Sequence, residues 1–270
     1  MIALPPRPLP LITATALASY QTLVDDTQGG YAARVEKSKS LFAYKNTPEN
    51  TVFRVIRTEL TAMCSGALRC IYCEDSARDQ VEHFQPKTLY PDVAFVWENY
   101  VYACGRCNRM KGAKFAVFRD SDGAFEDVTR PRHAAVVPPT KGRPVFLFGR
   151  LDEPLQFLEL DLVDTYFFTV RRGLSAEDAK RADYTITELK LNIRDELPMA
   201  RREAYRDYRA RVHEYCRRRD AGAIPRELET LRGNLQRCGH PTVWQEMKRQ
   251  RATVAELTAL FVEVPEALHW

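Results

Sequence analysis

The chain has 270 residues, of which 45% are hydrophobic and 28% charged, and its formal net charge at pH 7 is +4. This composition is typical of a globular protein with a sizeable core, and the length allows one large domain or two small ones. So small a net charge does not by itself indicate a nucleic-acid-binding protein, and the distribution of basic residues matters more than their number. No uncharged apolar run is long enough to cross a bilayer, so we expect no membrane partner.

The seven cysteines are an odd number, which argues against a secreted protein built on disulfides. Cys64, Cys216 and Cys238 are scattered along the chain and are expected to be small buried apolar residues. The N-terminus is rich in proline and lacks the basic cluster of a signal peptide. We therefore expect a cytoplasmic protein with reduced thiols.

Residues 1–66 are predicted to form an N-terminal helical segment. Two helices are expected at about 13–25 and 31–44. A third is predicted to begin at Thr47-Pro48, because a capping residue followed by proline is typical of a helix start. The apolar residues that follow recur at helical spacing, and Gly66 is predicted to end the helix.

Residues 67–118 contain two C-x-x-C pairs, Cys70/Cys73 and Cys104/Cys107. Two residues between thiols allow both sulfurs of one turn to reach the same ion, and two such turns make a closed tetrahedral site of thiolates. The pattern predicts a structural zinc ion. The alternatives are a redox pair, which two copies of the motif make less favourable, and four unrelated thiols.

Between the two pairs, 81–84 and 100–103 are predicted strands, and a helix is predicted to open at the second cysteine pair. Glu82 and His83 are adjacent on the first strand. Carboxylate and amide oxygens suit Mg²⁺, and a neutral imidazole can take a proton from water near pH 7. These are the groups that hydrolysis of a phosphodiester needs.

The string C-I-Y-C-E…V-E-H-F-Q-P-K…Y-P-D-V-A-F-V-W-E-N-Y-V-Y-A-C-G-R-C-N-R-M-K-G resembles the HNH endonucleases, which have a ββα-metal fold. Within that family it most resembles the HNH subunit of Septu-type and retron-associated anti-phage defence systems. The resemblance covers about residues 68–118. A looser likeness continues through Leu151–Pro154, Leu191–Arg194 and Arg201–Tyr205.

The resemblance implies a role for each matching residue. His83 would be the general base and lie with the metal-binding residues Glu82 and Asn108 around a catalytic Mg²⁺ or Mn²⁺. Asn99 would brace the backbone that holds the histidine, and Lys111 would contact phosphate. The alternatives are a solvated strand residue for Glu82, a turn former for Asn99, a helix cap for Asn108 and a surface charge for Lys111.

Residues 119–270 are predicted to be a mostly helical C-terminal region for substrate or partner binding. Its first part, to residue 144, is expected to be loop, because it is rich in Asp, Gly, Pro and Arg. Ser175 is expected to cap a helix. The predicted strands are 145–148, 157–160 and 166–170, and the predicted helices are 175–191, 194–220, 224–237 and 241–262.

Basic residues near the predicted site helix, and others on the helix 194–220, could bind a nucleic-acid backbone. The candidates are Arg106, Arg109, Lys114, Arg201, Arg202, Arg206 and Arg209. For the long helix the alternative is a solvated amphipathic surface with ion pairs between successive turns.

Together these expectations describe an α+β protein with a zinc-stabilised ββα-metal core between two helical regions. The predicted activity is metal-dependent hydrolysis of nucleic acid, with DNA favoured, in anti-phage defence. An RNase using the same site and a non-catalytic zinc module that binds nucleic acid or a partner are the alternatives. The resemblance also implies an ATPase partner. This chain carries no nucleotide-binding G-x-x-x-x-G-K-[ST] motif, so we expect that it does not hydrolyse ATP itself.

Overall fold

The computed structural model describes residues 1, 3–64 and 67–270, and it is an α+β protein in which small antiparallel sheets accompany many helices. The predicted helix end at Gly66 lies outside the described residues. Among the helices of the described ranges, none has the length and apolar character needed to cross a membrane.

The N-terminal segment is helical, as predicted, but its third helix starts later than expected. Asn50, not Thr47, is the capping residue, since its side chain accepts a hydrogen bond from the backbone N–H of Phe53 at 3.1 Å. Asparagine is as good a cap as any residue, so it replaces the Thr-Pro start that lies three residues earlier. The helices are α1 (Leu11–Asp25), α2 (Gly30–Lys45) and α3 (Thr51–Met63).

The middle of the chain forms an antiparallel hairpin followed by a short helix. Strand β1 (Gln80–His83) pairs with β2 (Tyr100–Ala103), which places His83 opposite Tyr100. Helix α4 (Gly105–Lys111) follows at once. The order strand, loop, strand, helix agrees with the elements expected from the sequence.

The C-terminal region begins with a sheet that the sequence did not predict. It consists of β3 (Ala116–Arg119), β4 (Phe125–Asp127) and β5 (Gly142–Pro144), with β3 in the middle. The expectation of loop over 119–144 is therefore only partly correct. The strand predicted at 145–148 is wrong, because these residues are buried in an irregular segment where the N–H of Leu147 donates to the hydroxyl of Thr185 at 2.9 Å. Burial alone makes such a run apolar, whether or not it pairs as a strand.

The later elements follow the prediction more closely. Ser175 caps its helix by accepting a hydrogen bond from the N–H of Asp178 at 3.1 Å. The helix predicted at 241–262 is two helices, because Val254 N–H donates to the Gln250 carbonyl and closes a turn between them. The elements are β6 (Leu158–Leu160), β7 (Phe168–Val170), α5 (Ala176–Glu188), α6 (Glu196–Asp220), α7 (Pro225–Gln236), α8 (Pro241–Arg249) and α9 (Ala255–Glu263).

Two clusters of buried apolar residues meet at the β1–β2 hairpin. The first joins α1, α2 and α3 to one side of the hairpin through Val81 and Tyr100. The second joins the other side, through Val101 and Ala103, to the C-terminal strands and helices. Burial of apolar surface on both sides fixes the hairpin, so the side chains that it carries are held rigidly.

Candidate functional site

The two C-x-x-C pairs come together at one end of the hairpin. Cys70 and Cys73 lie on the turn before β1, and Cys104 and Cys107 lie at the start of α4. All four are buried, and their sulfur atoms lie within 4.8 Å of one another. A tetrahedral zinc site with Zn–S bonds of about 2.3 Å places its sulfurs about 3.8 Å apart, so this cluster could bind zinc.

A buried arginine lies beside the cluster. The guanidinium of Arg194, only 4% exposed, donates to the sulfur of Cys107 at 3.5 Å. Four thiolates around one Zn²⁺ leave a net charge of about −2, so a buried arginine beside them offsets part of that charge. No role was predicted for Arg194, because nothing in the local sequence marks an arginine as buried.

Along the hairpin from the cysteines, an open cleft of about 500 Å³ lies beside β1. Three of the predicted site residues, Glu82, His83 and Asn108, line it. Lys111 lies behind its wall, where it bonds to Glu82, and Asn99 bonds to Gln85, two residues after His83. The cleft is therefore the place where the structure brings the predicted residues together.

His83 is held in one orientation. Its Nε2 lies 2.9 Å from the carbonyl oxygen of Ala94, and its ring packs against Phe42 at 4.4 Å and Tyr100 at 5.1 Å between centroids. A carbonyl can only accept, so Nε2 carries the proton and Nδ1 of the neutral ring has a free lone pair. Burial, followed by the positive charge of Lys87, holds the pKa of His83 well below its ordinary value. At neutral pH the imidazole can therefore accept a proton.

Asn99 ties together the two ends of the loop between the strands. Its Oδ1 accepts from the N–H of Gln85 at 2.7 Å, and its Nδ2 donates to the carbonyls of Gln85 and Val93, each at 3.0 Å. The side chain is 5% exposed. Because Gln85 follows the histidine by two residues and Val93 precedes Ala94, these bonds fix the backbone on both sides of the imidazole.

Glu82 and Lys111 form a buried ion pair. One carboxylate oxygen accepts from the ammonium of Lys111 at 2.7 Å, and the other accepts from the hydroxyl of Tyr72 at 2.6 Å. Lys111 is 1% exposed and also donates to the carbonyl of His83 at 2.8 Å. The prediction that Lys111 contacts phosphate is therefore wrong, because its ammonium donates to groups inside the protein. The alternative, that Lys111 is a surface charge, is also wrong. Lys111 holds Glu82 and the His83 backbone in place.

Asn108 faces β1 from helix α4, and its Nδ2 donates to the side-chain oxygen of Gln80 at 2.7 Å. The side-chain oxygens of Glu82 and Asn108 are hard donors in the same cleft. Such donors suit Mg²⁺ or Mn²⁺, which keep several of their waters. Both Glu82 oxygens already accept hydrogen bonds, from Lys111 and Tyr72, so a cation bound here would share that carboxylate with them.

The basic residues predicted to bind nucleic acid do not line this cleft. Arg201 is 1% exposed, and its guanidinium donates to the carbonyls of Tyr166 and Leu191, so its prediction is wrong. Arg109 and Arg202 are exposed, and Arg202 donates to a backbone carbonyl. The other four form ion pairs, which are Arg106 with Glu196, Lys114 with Glu188, Arg206 with Glu203 and Arg209 with Glu256. On α6 the alternative of a solvated amphipathic surface describes the contacts better.

Two other cations, missed in the sequence, do line the cleft. Arg57 reaches it from α3, and Lys87 reaches it from the loop after β1. Burial lowers the pKa of the Lys87 ammonium. Lys87 stands in the E-H-F-Q-P-K string, which could have drawn attention to it, whereas no local signal marks Arg57.

Comparison with known proteins gives one partial likeness. Over 49 residues the chain is 43% identical to the Septu protein PtuB of Bacillus thuringiensis, and the match covers 16% of this chain. The chain spans 19% of the length of that relative. No family model and no solved structure matches.

Proposed function

We propose that this protein is a metal-dependent endonuclease of the HNH type that hydrolyses phosphodiester bonds of nucleic acid, with DNA as the favoured substrate. The observation that carries the proposal is the setting of His83. Its imidazole is oriented by the Ala94 carbonyl at the wall of an open cleft, beside the oxygen donors of Glu82 and Asn108. A base and a hard-cation site in one cleft are what this hydrolysis requires.

In the proposed reaction, Nδ1 of His83 accepts a proton from the attacking water. The Ala94 carbonyl, which already accepts from Nε2–H, stabilises the imidazolium that forms. Glu82 and Asn108 would hold the divalent cation, which when bound neutralises charge on the phosphate and on the leaving oxygen. Asn99 keeps His83 oriented at the cleft through its hydrogen bonds to Gln85 and Val93.

The biological role we propose is anti-phage defence. The partial likeness to a Septu protein supports this role, and the resemblance to Septu-type HNH subunits supports an ATPase partner that controls cleavage. An unregulated nuclease would damage the DNA of its own cell, which is a reason to expect such control.

The proposal is tested by incubating the purified protein with plasmid DNA and with total RNA, in Mg²⁺ or EDTA. We expect Mg²⁺-dependent cleavage that falls about 10²- to 10⁴-fold in His83→Ala, with zinc content and thermal unfolding unchanged. His213→Ala is the matched control, since His213 lies on α6 with 48% of its side chain exposed, and it should cleave normally. Cleavage of RNA alone would establish the RNase alternative. Equal activity in the two histidine variants would contradict the assigned base.

The burial of Glu82 favours a second candidate, a non-catalytic zinc module that binds nucleic acid or a partner protein. In that case the Glu82–Lys111–Tyr72 group would be a structural polar network and not a metal site. Titration with Mn²⁺, followed by electron paramagnetic resonance, separates the two candidates. The nuclease requires a Mn²⁺ site that is weakened in Glu82→Gln, whereas the module requires none.

A further inference from the structure

The ammonium of Lys87 and the imidazole of His83 rest on the same aromatic ring. Lys87 Nζ lies 4.7 Å from the centroid of the Phe42 ring, and the His83 ring centroid lies 4.4 Å from the same point. A lysine over an aromatic face is stabilised in that position by the ring quadrupole. The cleft therefore presents a positive charge at a fixed place beside its candidate base.

Among the described residues, this charge has no ion-pair partner. In residues 1, 3–64 and 67–270 no carboxylate oxygen lies within 4.0 Å of the Lys87 ammonium. Lys111, by contrast, is neutralised by Glu82 at 2.7 Å. A half-buried ammonium that has lost part of its water is stabilised by an anion, and the open side of the cleft is where an anion can enter.

A second cation strengthens the positive character of the cleft. The guanidinium of Arg57 donates to the carbonyl of Thr47 at 3.0 Å and to the side chain of Asn46 at 2.6 Å, so neutral groups hold it. The cleft also contains the exposed carboxylate of Asp79. The charge of Glu82 is already neutralised by Lys111. The two positive charges of Arg57 and Lys87 therefore exceed the single negative charge of Asp79. Two of the Arg57 donors are committed, which leaves Lys87 as the more adaptable ligand for an incoming anion.

We propose that Lys87 binds a backbone phosphate of the nucleic-acid strand in the cleft, next to the phosphodiester that His83 faces. The inference rests on the proposed function for the nature of the anion. The sequence predicted the phosphate contact for Lys111, but Lys87 is the lysine whose ammonium is available to make it. The contact is sequence-independent, because a phosphate carries no information about its base.

The test is binding, measured separately from cleavage. A fluorescein-labelled duplex is titrated in EDTA, at several salt concentrations, with the wild type, Lys87→Met and Lys87→Arg. Removing one phosphate contact lowers the slope of log affinity against log salt by about 1 and weakens binding equally for unrelated sequences. Lys87→Arg should restore most of the slope. An RNA strand of matched sequence, run in parallel, shows which polymer the contact serves.

Lys180→Met is a closely matched control, since the Lys180 ammonium also lies 4.7 Å from an aromatic centroid, that of Phe125, and neither residue lines the cleft. It should bind like the wild type. Thermal unfolding and zinc content confirm that each variant is folded, and Lys87→Gln replaces the Met variant if that one is not.

The outcomes separate this inference from the proposed function. A slope that falls in Lys87→Met, together with binding but no cleavage by the wild type either alone or with its co-purified partner, supports the phosphate contact and contradicts the nuclease. Normal cleavage with an unchanged slope and affinity in Lys87→Met overturns the contact and leaves the nuclease standing. A wild-type protein that binds neither polymer overturns the contact as well.

Discussion

The cysteine cluster and the cleft occupy the same hairpin but are built in opposite ways. At the cluster, four buried sulfurs face one another and nothing separates them from a shared centre. At the cleft, the oxygens of Glu82 are held by Tyr72 and Lys111, and open volume lies beside them. A closed set of donors retains its ion, whereas a set that shares its donors with the protein exchanges its ligand. The first arrangement suits a structural ion, and the second suits the turnover of the proposed nuclease.

Removal of one thiolate tests whether the cysteine cluster holds a structural ion, and it has the largest expected effect. Cys73→Ser should lose the zinc ion and most of the soluble protein, because structural zinc contributes on the order of 10 kcal/mol to the folding of small zinc domains. Zinc per chain and soluble yield measure the effect. Cys64→Ser, a half-buried thiol outside the cluster, should behave like the wild type. A full zinc complement in Cys73→Ser would show that the four cysteines are not the ligands.

The cleft is tested through Asn99, a buried residue outside its lining. Asn99→Ala removes three hydrogen bonds and leaves the N–H of Gln85 without its partner, so the free energy of unfolding in urea should fall by about 2–3 kcal/mol. Any Mg²⁺-dependent cleavage should fall with it, because the loop that orients His83 is released.

A matched asparagine isolates the second effect. Asn192 bridges the N–H and carbonyl of Phe168 at 2.8 and 2.7 Å, in the C-terminal region. Asn192→Ala should therefore destabilise the protein to a similar degree but leave the cleavage rate of the folded protein unchanged. Equal loss of cleavage in both variants would mean that Asn99 acts through stability alone.

The smallest expected effect lies at the edge of the cysteine cluster. Arg194→Met removes the donor to Cys107, and loss of such an outer contact weakens metal binding about 10-fold. Transfer of zinc to a chromogenic chelator should be faster in this variant and intermediate in Arg194→Lys. Arg202→Met, an exposed arginine one turn into α6, should release zinc at the wild-type rate. Identical rates in all three would show that Arg194 serves packing and not the metal.

The sequence predicted the parts of the site that depend on local spacing. Two residues between cysteines bring each pair of sulfurs together, and adjacency puts Glu82 and His83 on one strand. The shared cleft of Arg57 and Lys87 was not predictable, since it depends on how α3 packs beside the hairpin. The start of α3 differs from the prediction because Asn50 caps the helix. The predicted strand at 145–148 is absent because these residues do not pair as a strand.

Arg201 shows a signal that was present but not used. It shares one face of α6 with Leu197, Tyr205, Tyr208 and Val212, all of which are buried. That spacing is the apolar stripe of an amphipathic helix, and a charged residue within the stripe is buried with its neighbours. Counting arginines on the helix favoured a binding surface, whereas their position around the helix favoured the core.

The hairpin between two buried clusters also constrains how the chain folds during synthesis. Phe42 and Phe53 leave the ribosome before Phe95 and Tyr100, the residues against which they pack. At typical rates of elongation the interval of roughly 40 residues lasts seconds, during which apolar surface is exposed. Interruption of translation in that interval would release a fragment prone to aggregation, so the N-terminal helices are expected to depend on chaperones until the hairpin is complete.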